Sequence, residues 1–144
     1  MMSEKDNIRV AEEYMEALNA HDYAHMKTHH GKGFRFQALG APGLADEAAY
    51  QAYMQQHWTA FPDLHFETAQ MAAQGDYVVQ NWISTGTHDG PLTTPTGHKV
   101  LASGRRGTTT GSSTMKFKNG KIVLVDLYFN VSALLHSTAA VRGA

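Results

Sequence analysis

The sequence predicts an α+β fold in which three N-terminal helices pack on one face of a curved, mostly antiparallel sheet and enclose one pocket. Two observations carry this prediction. Apolar residues recur with helical spacing up to about residue 61, and from Leu64 onward polar and apolar residues alternate with a period of two. No linker or repeat divides the chain, so residues 1–144 are treated as one domain, with a tail expected to be loose from about residue 137.

The three helices have recognisable start or stop signals. Ser3 is placed to cap a helix that runs to about Asn19, and Asp22 caps a short second helix with the sequence YAHMKTH. The strand GFRFQAL follows. Asp46 opens the third helix, which ends at Pro62 because proline disfavours helical backbone at the residue before it.

The second half of the chain is predicted to form strands. These are LHFETAQMAAQ, YVVQNWISTGT, KVLAS, TTTGSSTMKF and KIVLVDLYFN. Asn119 and Gly120 form a favoured two-residue hairpin turn before the last strand. The loop GTHDGPLTTPTGHKV contains several glycines and prolines, and we interpret it as a lid over a cavity or as a contact between subunits.

The composition limits the possible partners. Hydrophobic residues make up 42% of the chain, charged residues 17%, and the net charge is -1, so nothing indicates nucleic acid or an anionic membrane. The absence of cysteine excludes disulfides and thiolate ligands for zinc. No apolar run approaches the roughly 20 residues of a membrane span, and the first residues lack the apolar core of a secretion signal. We therefore expect a cytoplasmic protein.

Four segments follow one another along most of the chain: EEYMEALNAHDY, AFPDLHFE, GDYVVQNWISTGTHDGPL and NGKIVLVDLYFN. In these segments the chain resembles the SnoaL-like polyketide cyclases, a family of the nuclear-transport-factor-two-like superfamily of cone-shaped α+β barrels. The resemblance implies a homodimer with one cavity per subunit, no metal and no organic cofactor. It also implies aldol-type acid–base chemistry on a hydrophobic, polyketide-like ketone.

Asp126 is the first catalytic candidate. It is a lone carboxylate in an otherwise apolar strand, where burial is costly unless the group is paired or functional. The resemblance also places the catalytic carboxylate of the family on a late strand. Alternation puts Tyr128 and Asn130 on the same face as Asp126, where they would orient the substrate. The alternative is that Asp126 pairs with an arginine such as Arg105, or faces solvent at the rim of a dimer.

His88 is the second catalytic candidate. It shares strand parity with Trp82, so both face the cavity if Trp82 does. There the imidazole would bond an enolate oxygen or carry a proton; alternatively it fixes the loop by bonding its own backbone. Aromatic stripes on helices usually form core, but some members are expected to touch the ligand. The remaining substrate-binding candidates are Tyr14, Phe36, Tyr53, His57 and Trp58.

A metal site is not predicted. His21, His25 and His29 are spaced by four residues, as ligands on a helix would be, but Asp22 caps the helix and leaves His21 before it.

Three other functions compete with the cyclase. A ketosteroid isomerase-like enzyme needs a carboxylate base in the strand GFRFQAL, where Arg35 and Gln37 stand instead. An epoxide hydrolase needs a second acid beside Asp126, and none is evident. A non-catalytic small-molecule binder or assembly module needs no such acids, and it would suit the strand rich in Thr, Ser and Gly at residues 108–114.

Overall fold

The structure is a computed structural model that describes residues 3–38, 44–93 and 97–129. It confirms the predicted α+β fold. Asn130 and the tail from about residue 137 lie outside the described residues. In chain order the elements are α1 (Glu4–Asn19), α2 (Tyr23–Thr28), β1 (His30–Ala38), α3 (Glu47–Ala60), β2 (His65–Gln74), β3 (Tyr77–Thr87), β4 (Leu92–Thr93), β5 (Lys99–Val100), β6 (Arg106–Lys118) and β7 (Lys121–Phe129).

Each helix begins at the predicted cap. The Ser3 hydroxyl accepts a hydrogen bond from the Asp6 backbone N–H at 3.1 Å, and the Asp6 carboxylate accepts one from the Ser3 backbone N–H at 3.2 Å. Asp22 and Asp46 cap α2 and α3, each accepting from the backbone N–H three residues later. None of the helices in the described ranges combines the length and apolar character needed to cross a membrane.

Five strands form one sheet in the order β1-β7-β6-β3-β2, and β4 pairs with β5 separately. Within the large sheet β1 and β7 are parallel, and the other neighbours are antiparallel. Asn119 and Gly120 have positive φ angles of 52° and 78°, as the predicted hairpin turn requires. Register shifts interrupt the β1–β7, β2–β3 and β6–β7 ladders, and such irregularities bend a sheet.

The helices cover one face of this sheet, which we call the inner face. Helix α1 packs on β2 and β3, and α3 packs on β1. On β3 the even-numbered side chains from Val78 to Gly86 are buried on the inner face. The opposite, outer face exposes Tyr77, Val79 and Ile83, which are 37–43% exposed. The fold therefore creates its interior between the inner face and the helices.

The segment between β3 and β6 packs on the end of α3. The backbone N–H groups of Asp89 and Gly90 donate to the Ala60 carbonyl at 2.8 and 3.1 Å. Gln56 Nε2 donates to the Thr93 carbonyl at 3.0 Å. Asp89, Gly90 and Thr93 thus bond to α3, and none of the described residues of this segment lines the cavity that was expected beneath a lid.

Candidate active site

A cavity of about 90 Å³ lies between the helices and the inner face of the sheet. This is several times the roughly 10–15 Å³ that one water molecule needs. One side, which we call the helical wall, includes Tyr14, Met15, Leu18, Tyr50, Tyr53, Met54 and His57. The other side, the sheet wall, includes Gln80, Trp82, Ser84, Thr109, Ser113, Val125, Leu127 and Phe129.

Helical spacing gathers titratable groups on the helical wall. Tyr50, Tyr53 and His57 follow one another at three and four residues on α3, so they share a face. Tyr14 belongs to the buried stripe of α1, and its hydroxyl oxygen lies 3.1 Å from that of Tyr50. The sequence analysis placed Tyr14, Tyr53 and His57 beside the ligand, and all three line the cavity.

His57 is the only described lining residue whose side chain ordinarily titrates near neutral pH. Its Nδ1 lies 2.8 Å from the Tyr53 carbonyl oxygen, which can only accept. Nδ1 therefore carries the hydrogen and donates it, and in the neutral ring the lone pair is on Nε2. Burial lowers the pKa of His57, while the hydrogen bond to the carbonyl opposes that shift. The ring is thus a neutral imidazole with one nitrogen ready to accept a proton.

The tyrosines of the helical wall keep their protons. Burial raises the pKa of Tyr14 well above its usual range, and the neighbouring Tyr50 raises it further. Burial likewise raises the pKa values of Tyr50 and Tyr53. The wall therefore offers neutral hydroxyl groups that can donate or accept hydrogen bonds.

Behind Tyr14 a chain of hydrogen bonds leads to the start of α3. The Tyr14 hydroxyl lies 2.8 Å from His30 Nε2, and His30 Nδ1 lies 2.8 Å from the Glu47 carboxylate. The Tyr23 hydroxyl donates to the same carboxylate. The side chain of His30 is 2% exposed and that of Glu47 is 28% exposed. We call this arrangement the Tyr14–His30–Glu47 chain.

Neither His30 nor Glu47 was predicted from the sequence as a site residue. The two residues belong to different elements, β1 and α3, and no spacing in the sequence links them. The available signals were weak: His30 ends a histidine-rich segment, and Glu47 directly follows the cap of α3. Only the packing of α1, β1 and α3 brings the two side chains to Tyr14.

The sheet wall is built around Trp82, which lines the cavity as predicted. Its Nε1 donates to Ser113 Oγ at 3.0 Å. Its ring lies over Gly111, where a Cβ atom would stand 2.5 Å from the ring and in collision with the Tyr128 carbonyl oxygen. The glycine within the strand rich in Thr and Ser therefore makes room for the tryptophan.

The structure corrects the predicted face of the last strand. Val125, Leu127 and Phe129 line the cavity. Asp126 and Tyr128 lie between them in sequence and project to the outer face, where Tyr128 is 46% exposed. The Tyr128 hydroxyl lies 3.4 Å from an Asp126 carboxylate oxygen. The physical reason is that a strand with two unequal faces turns the more apolar one to the core.

His88 continues the buried parity of Trp82, but it lies beside the cavity rather than in its lining. The ring stacks on Phe61 with centroids 5.1 Å apart. Its backbone N–H donates to the Arg105 carbonyl at 2.9 Å, and its carbonyl accepts from the Gly104 N–H at 2.8 Å. Through these contacts the backbone and ring of His88 hold the loop, whereas the alternative in the sequence analysis was a bond from the imidazole to its own backbone.

Two further predicted ligand contacts are corrected. Phe36 lies behind the helical wall, with its ring centroid 4.5 Å from that of Tyr50 and 4.8 Å from that of Tyr53. Trp58 stacks on His21 at 5.0 Å. Neither residue lines the cavity.

The histidine-rich segment has the backbone that its cap predicts. His21 has a positive φ of 55° and precedes α2. Within the described part of the chain, no group of three or more His, Cys, Asp or Glu side chains is placed to hold a metal ion.

The curved sheet, the covering helices and the buried cavity define the class of this protein: an α+β fold that encloses a pocket between helices and sheet. Within that class, the chain belongs to the SnoaL-like domain family, whose model matches residues 11–125. No curated protein matches the sequence.

Solved structures share this fold over nearly the whole chain. AclR from Streptomyces galilaeus, a proposed hydroxylase, is 23% identical over 92% of this chain and 80% of its own, with a TM-score of 0.81. A proposed SnoaL-like polyketide cyclase from Jannaschia sp. CCS1 is 17% identical over 99% of both chains, with a TM-score of 0.81. IdmH from Streptomyces antibioticus, a proposed polyketide cyclase, is 18% identical over 91% of this chain and 96% of its own, with a TM-score of 0.76. At these identities the likeness shows the fold alone.

Proposed function

We propose that this protein is a cofactor-independent acid–base enzyme of the cyclase or isomerase type, acting on a hydrophobic ketone. The observation that carries the proposal is the neutral His57 imidazole, which lines a largely apolar cavity beside neutral tyrosine hydroxyls. The proposed polyketide cyclases among the structural neighbours support the substrate class. His57 takes the role that the sequence analysis gave to Asp126, which lies on the outer face.

In the proposed reaction, His57 Nε2 removes a proton from the carbon next to the ketone carbonyl. The electron pair of the broken C–H bond moves to the carbonyl oxygen and forms an enolate. Tyr53, whose ring centroid is 4.2 Å from that of His57, donates its hydroxyl hydrogen bond to this oxygen. The imidazolium then returns the proton, to carbon in an isomerisation or to the new alkoxide after the enolate has attacked a second carbonyl.

The test follows exchange of the α-protons of 2-tetralone, a compact hydrophobic ketone, in D₂O by NMR. Wild-type protein is expected to accelerate exchange, and His57→Asn is expected to lose about 10²–10⁴-fold of that acceleration. Asp126→Asn is the matched control on the outer face and should retain wild-type exchange. Loss in Asp126→Asn with retention in His57→Asn would overturn the assignment of the base.

A non-catalytic small-molecule binder is the second candidate. The observation that favours it is that none of the described lining residues is Asp or Glu, although the family resemblance implied a catalytic carboxylate. In this case 2-tetralone binds equally to the wild type and to His57→Asn, and its protons exchange no faster than in buffer.

We also propose that the outer face joins two copies of the chain in a homodimer. Tyr77, Val79, Ile83 and Tyr128 are 37–46% exposed on this face, and exposed apolar side chains that share a face favour a contact surface. Ile83→Glu is expected to convert the dimer into a monomer in sedimentation experiments, because it would bury a charge in the contact. A wild-type protein that sediments as a monomer would contradict this proposal.

A further inference from the structure

The Tyr14–His30–Glu47 chain continues into the cavity wall through Tyr50. The Tyr14 and Tyr50 hydroxyl oxygens are 3.1 Å apart, and both residues line the cavity. Each hydroxyl has one hydrogen and can also accept. The chain therefore connects a buried histidine to a hydroxyl at the ligand, and its hydrogens can point in either direction.

When His30 is neutral, the hydrogens point away from the cavity. His30 Nδ1 donates to the Glu47 carboxylate, which can only accept, so His30 Nε2 has the lone pair and accepts from the Tyr14 hydroxyl. With its only hydrogen directed to His30, Tyr14 cannot donate to Tyr50 in this state, so the Tyr14 oxygen accepts from the Tyr50 hydroxyl. The two oxygens are 3.1 Å apart. In this state Tyr50 presents only an acceptor oxygen to the cavity.

When His30 is protonated, the His30–Tyr14 and Tyr14–Tyr50 bonds reverse, while the bond from His30 Nδ1 to Glu47 keeps its direction. Both ring nitrogens now donate, one to Glu47 and the other to the Tyr14 oxygen. Tyr14 has to turn its hydrogen to the Tyr50 oxygen, and the Tyr50 hydrogen becomes free to donate into the cavity. The oxygen and nitrogen positions stay where they are, so the reversal needs only rotation of two hydroxyl hydrogens.

We propose that His30, held by Glu47, is a positioning residue that sets whether the Tyr50 hydroxyl accepts or donates a hydrogen bond at the cavity wall. The ketone as preferred ligand rests on the proposed function, whereas the reversal itself depends only on the hydrogen-bond geometry. A ketone oxygen can only accept, so it needs the state in which the Tyr50 hydroxyl donates. A ligand hydroxyl can donate to Tyr50 in the state in which the Tyr50 oxygen accepts. The chain would thereby select ligands by the proton state of a histidine that does not touch them.

The groups around His30 determine the direction in which its pKa is shifted. Burial lowers the pKa of His30, and the Glu47 carboxylate opposes this shift. The neighbouring His29 and Lys27 lower the pKa further. The groups that face the ring from the packed elements are Tyr14 of α1, Tyr23 and Lys27 of α2, and Glu47 and Tyr50 of α3, with Phe34 of its own strand stacked on it at 3.7 Å.

The experiment measures the dissociation constants of two probes of similar size between about pH 8 and about pH 5. 2-Tetralone only accepts hydrogen bonds, and 2-naphthol donates one. As His30 becomes protonated, the affinity for 2-tetralone relative to 2-naphthol is expected to rise by about fivefold to tenfold, the worth of one hydrogen bond. Long-range ¹H–¹⁵N NMR of the His30 ring should show the same midpoint.

Three variants locate the source of this change. Tyr50→Phe should abolish the change in relative affinity while His30 still titrates. Glu47→Gln should shift the midpoint to lower pH, because the carboxylate that favours the protonated ring is gone. His57→Asn should retain the change in relative affinity with pH. This result would show that the change does not come from titration of His57, the proposed base.

The proposal fails if the relative affinity of the wild type is constant with pH, or if the change disappears in His57→Asn and persists in Tyr50→Phe. A wild type that shows the change in affinity but no proton exchange on 2-tetralone would contradict the proposed enzyme and leave the His30 proposal standing.

Discussion

The two walls of the cavity differ in whether their polar groups can change protonation near neutral pH. On the helical wall, His57 accepts a proton directly, and Tyr14 connects the cavity to His30. On the sheet wall, Trp82 and Ser113 bond each other, and neither titrates. The fold thus places the histidine and tyrosine side chains of the cavity on the helices and side chains that do not titrate on the sheet. Substitutions on the sheet wall should change stability and leave the pH dependence of activity intact.

The largest effect on the sheet wall is expected from Trp82→Ala. Removing this buried ring should lower the free energy of unfolding by about 3–5 kcal/mol, because the strands cannot close over the space it leaves. Urea denaturation measures this loss. Trp82→Phe is the matched control: it keeps a ring and removes the donor to Ser113, so its cost should be smaller. A shift in the pH profile of proton exchange in Trp82→Phe would break the separation of the two walls.

A smaller loss of about 1–3 kcal/mol is expected for Gly111→Ala, because the added methyl group collides with the Trp82 ring and the Tyr128 carbonyl. Thr110→Ala, on the adjacent and exposed position, should stay within about 0.5 kcal/mol. Combining Gly111→Ala with Trp82→Phe should cost less than the sum of the two single changes, because the variants share a contact. Strict additivity in urea denaturation would show that the ring does not determine the need for glycine.

Three histidines, His57 on the helical wall and His29 and His30 outside the cavity lining, should make stability depend on pH. Burial lowers the pKa values of His29, His30 and His57 from the ordinary 6.5, so the unfolded chain binds protons more readily than the folded one. Stability is therefore complete above about pH 6.5 and falls as the pH drops, by at most about 1.4 kcal/mol per pH unit for each proton. His57→Asn should reduce the slope, and Tyr53→Phe should not. Equal slopes in the wild type and His57→Asn would contradict a lowered pKa for this ring.

The smallest effect on stability is expected where the end of α3 is hydrogen-bonded to the end of β3. Asp63, just after α3, accepts hydrogen bonds from the Thr87 backbone N–H at 2.7 Å and from its hydroxyl at 2.8 Å. Arg106 reaches the same carboxylate at 3.3 Å, but its side chain is 64% exposed. Arg106→Ala should therefore change stability by less than about 0.5 kcal/mol. Asp63→Ala should cost more than that in the same thermal unfolding measurement, because the hydrogen bonds from the Thr87 backbone N–H and from the Thr87 hydroxyl are both lost.

Local features of the fold could be predicted because their physics lies within a few residues. Ser3, Asp22 and Asp46 cap the helices as predicted, and Asn119 with Gly120 forms the predicted turn. The parity of β3 also predicted that Trp82 and His88 share a face, and both side chains are buried. Each of these predictions needs only the chain on either side of the residue.

The site was predicted less well because it depends on contacts between elements. For β7, the face with Asp126 was predicted to line the cavity because of a possible catalytic role of the carboxylate. The apolar side chains on the other face were given less weight, and in the structure it is these that line the cavity. His30 and Glu47 meet Tyr14 only after three elements have packed. No periodicity in the sequence encodes such a meeting.

The parallel pairing of β1 with β7 has a consequence for how the protein is made. His30 pairs in register with Ile122, about 90 residues later in the chain. During synthesis, the helices and most of the sheet leave the ribosome before β7, the strand that β1 needs as its neighbour. The order of synthesis therefore makes the edge beside His30 the last part to assemble, and a chain interrupted before β7 would leave β1 exposed and open to pairing with another molecule.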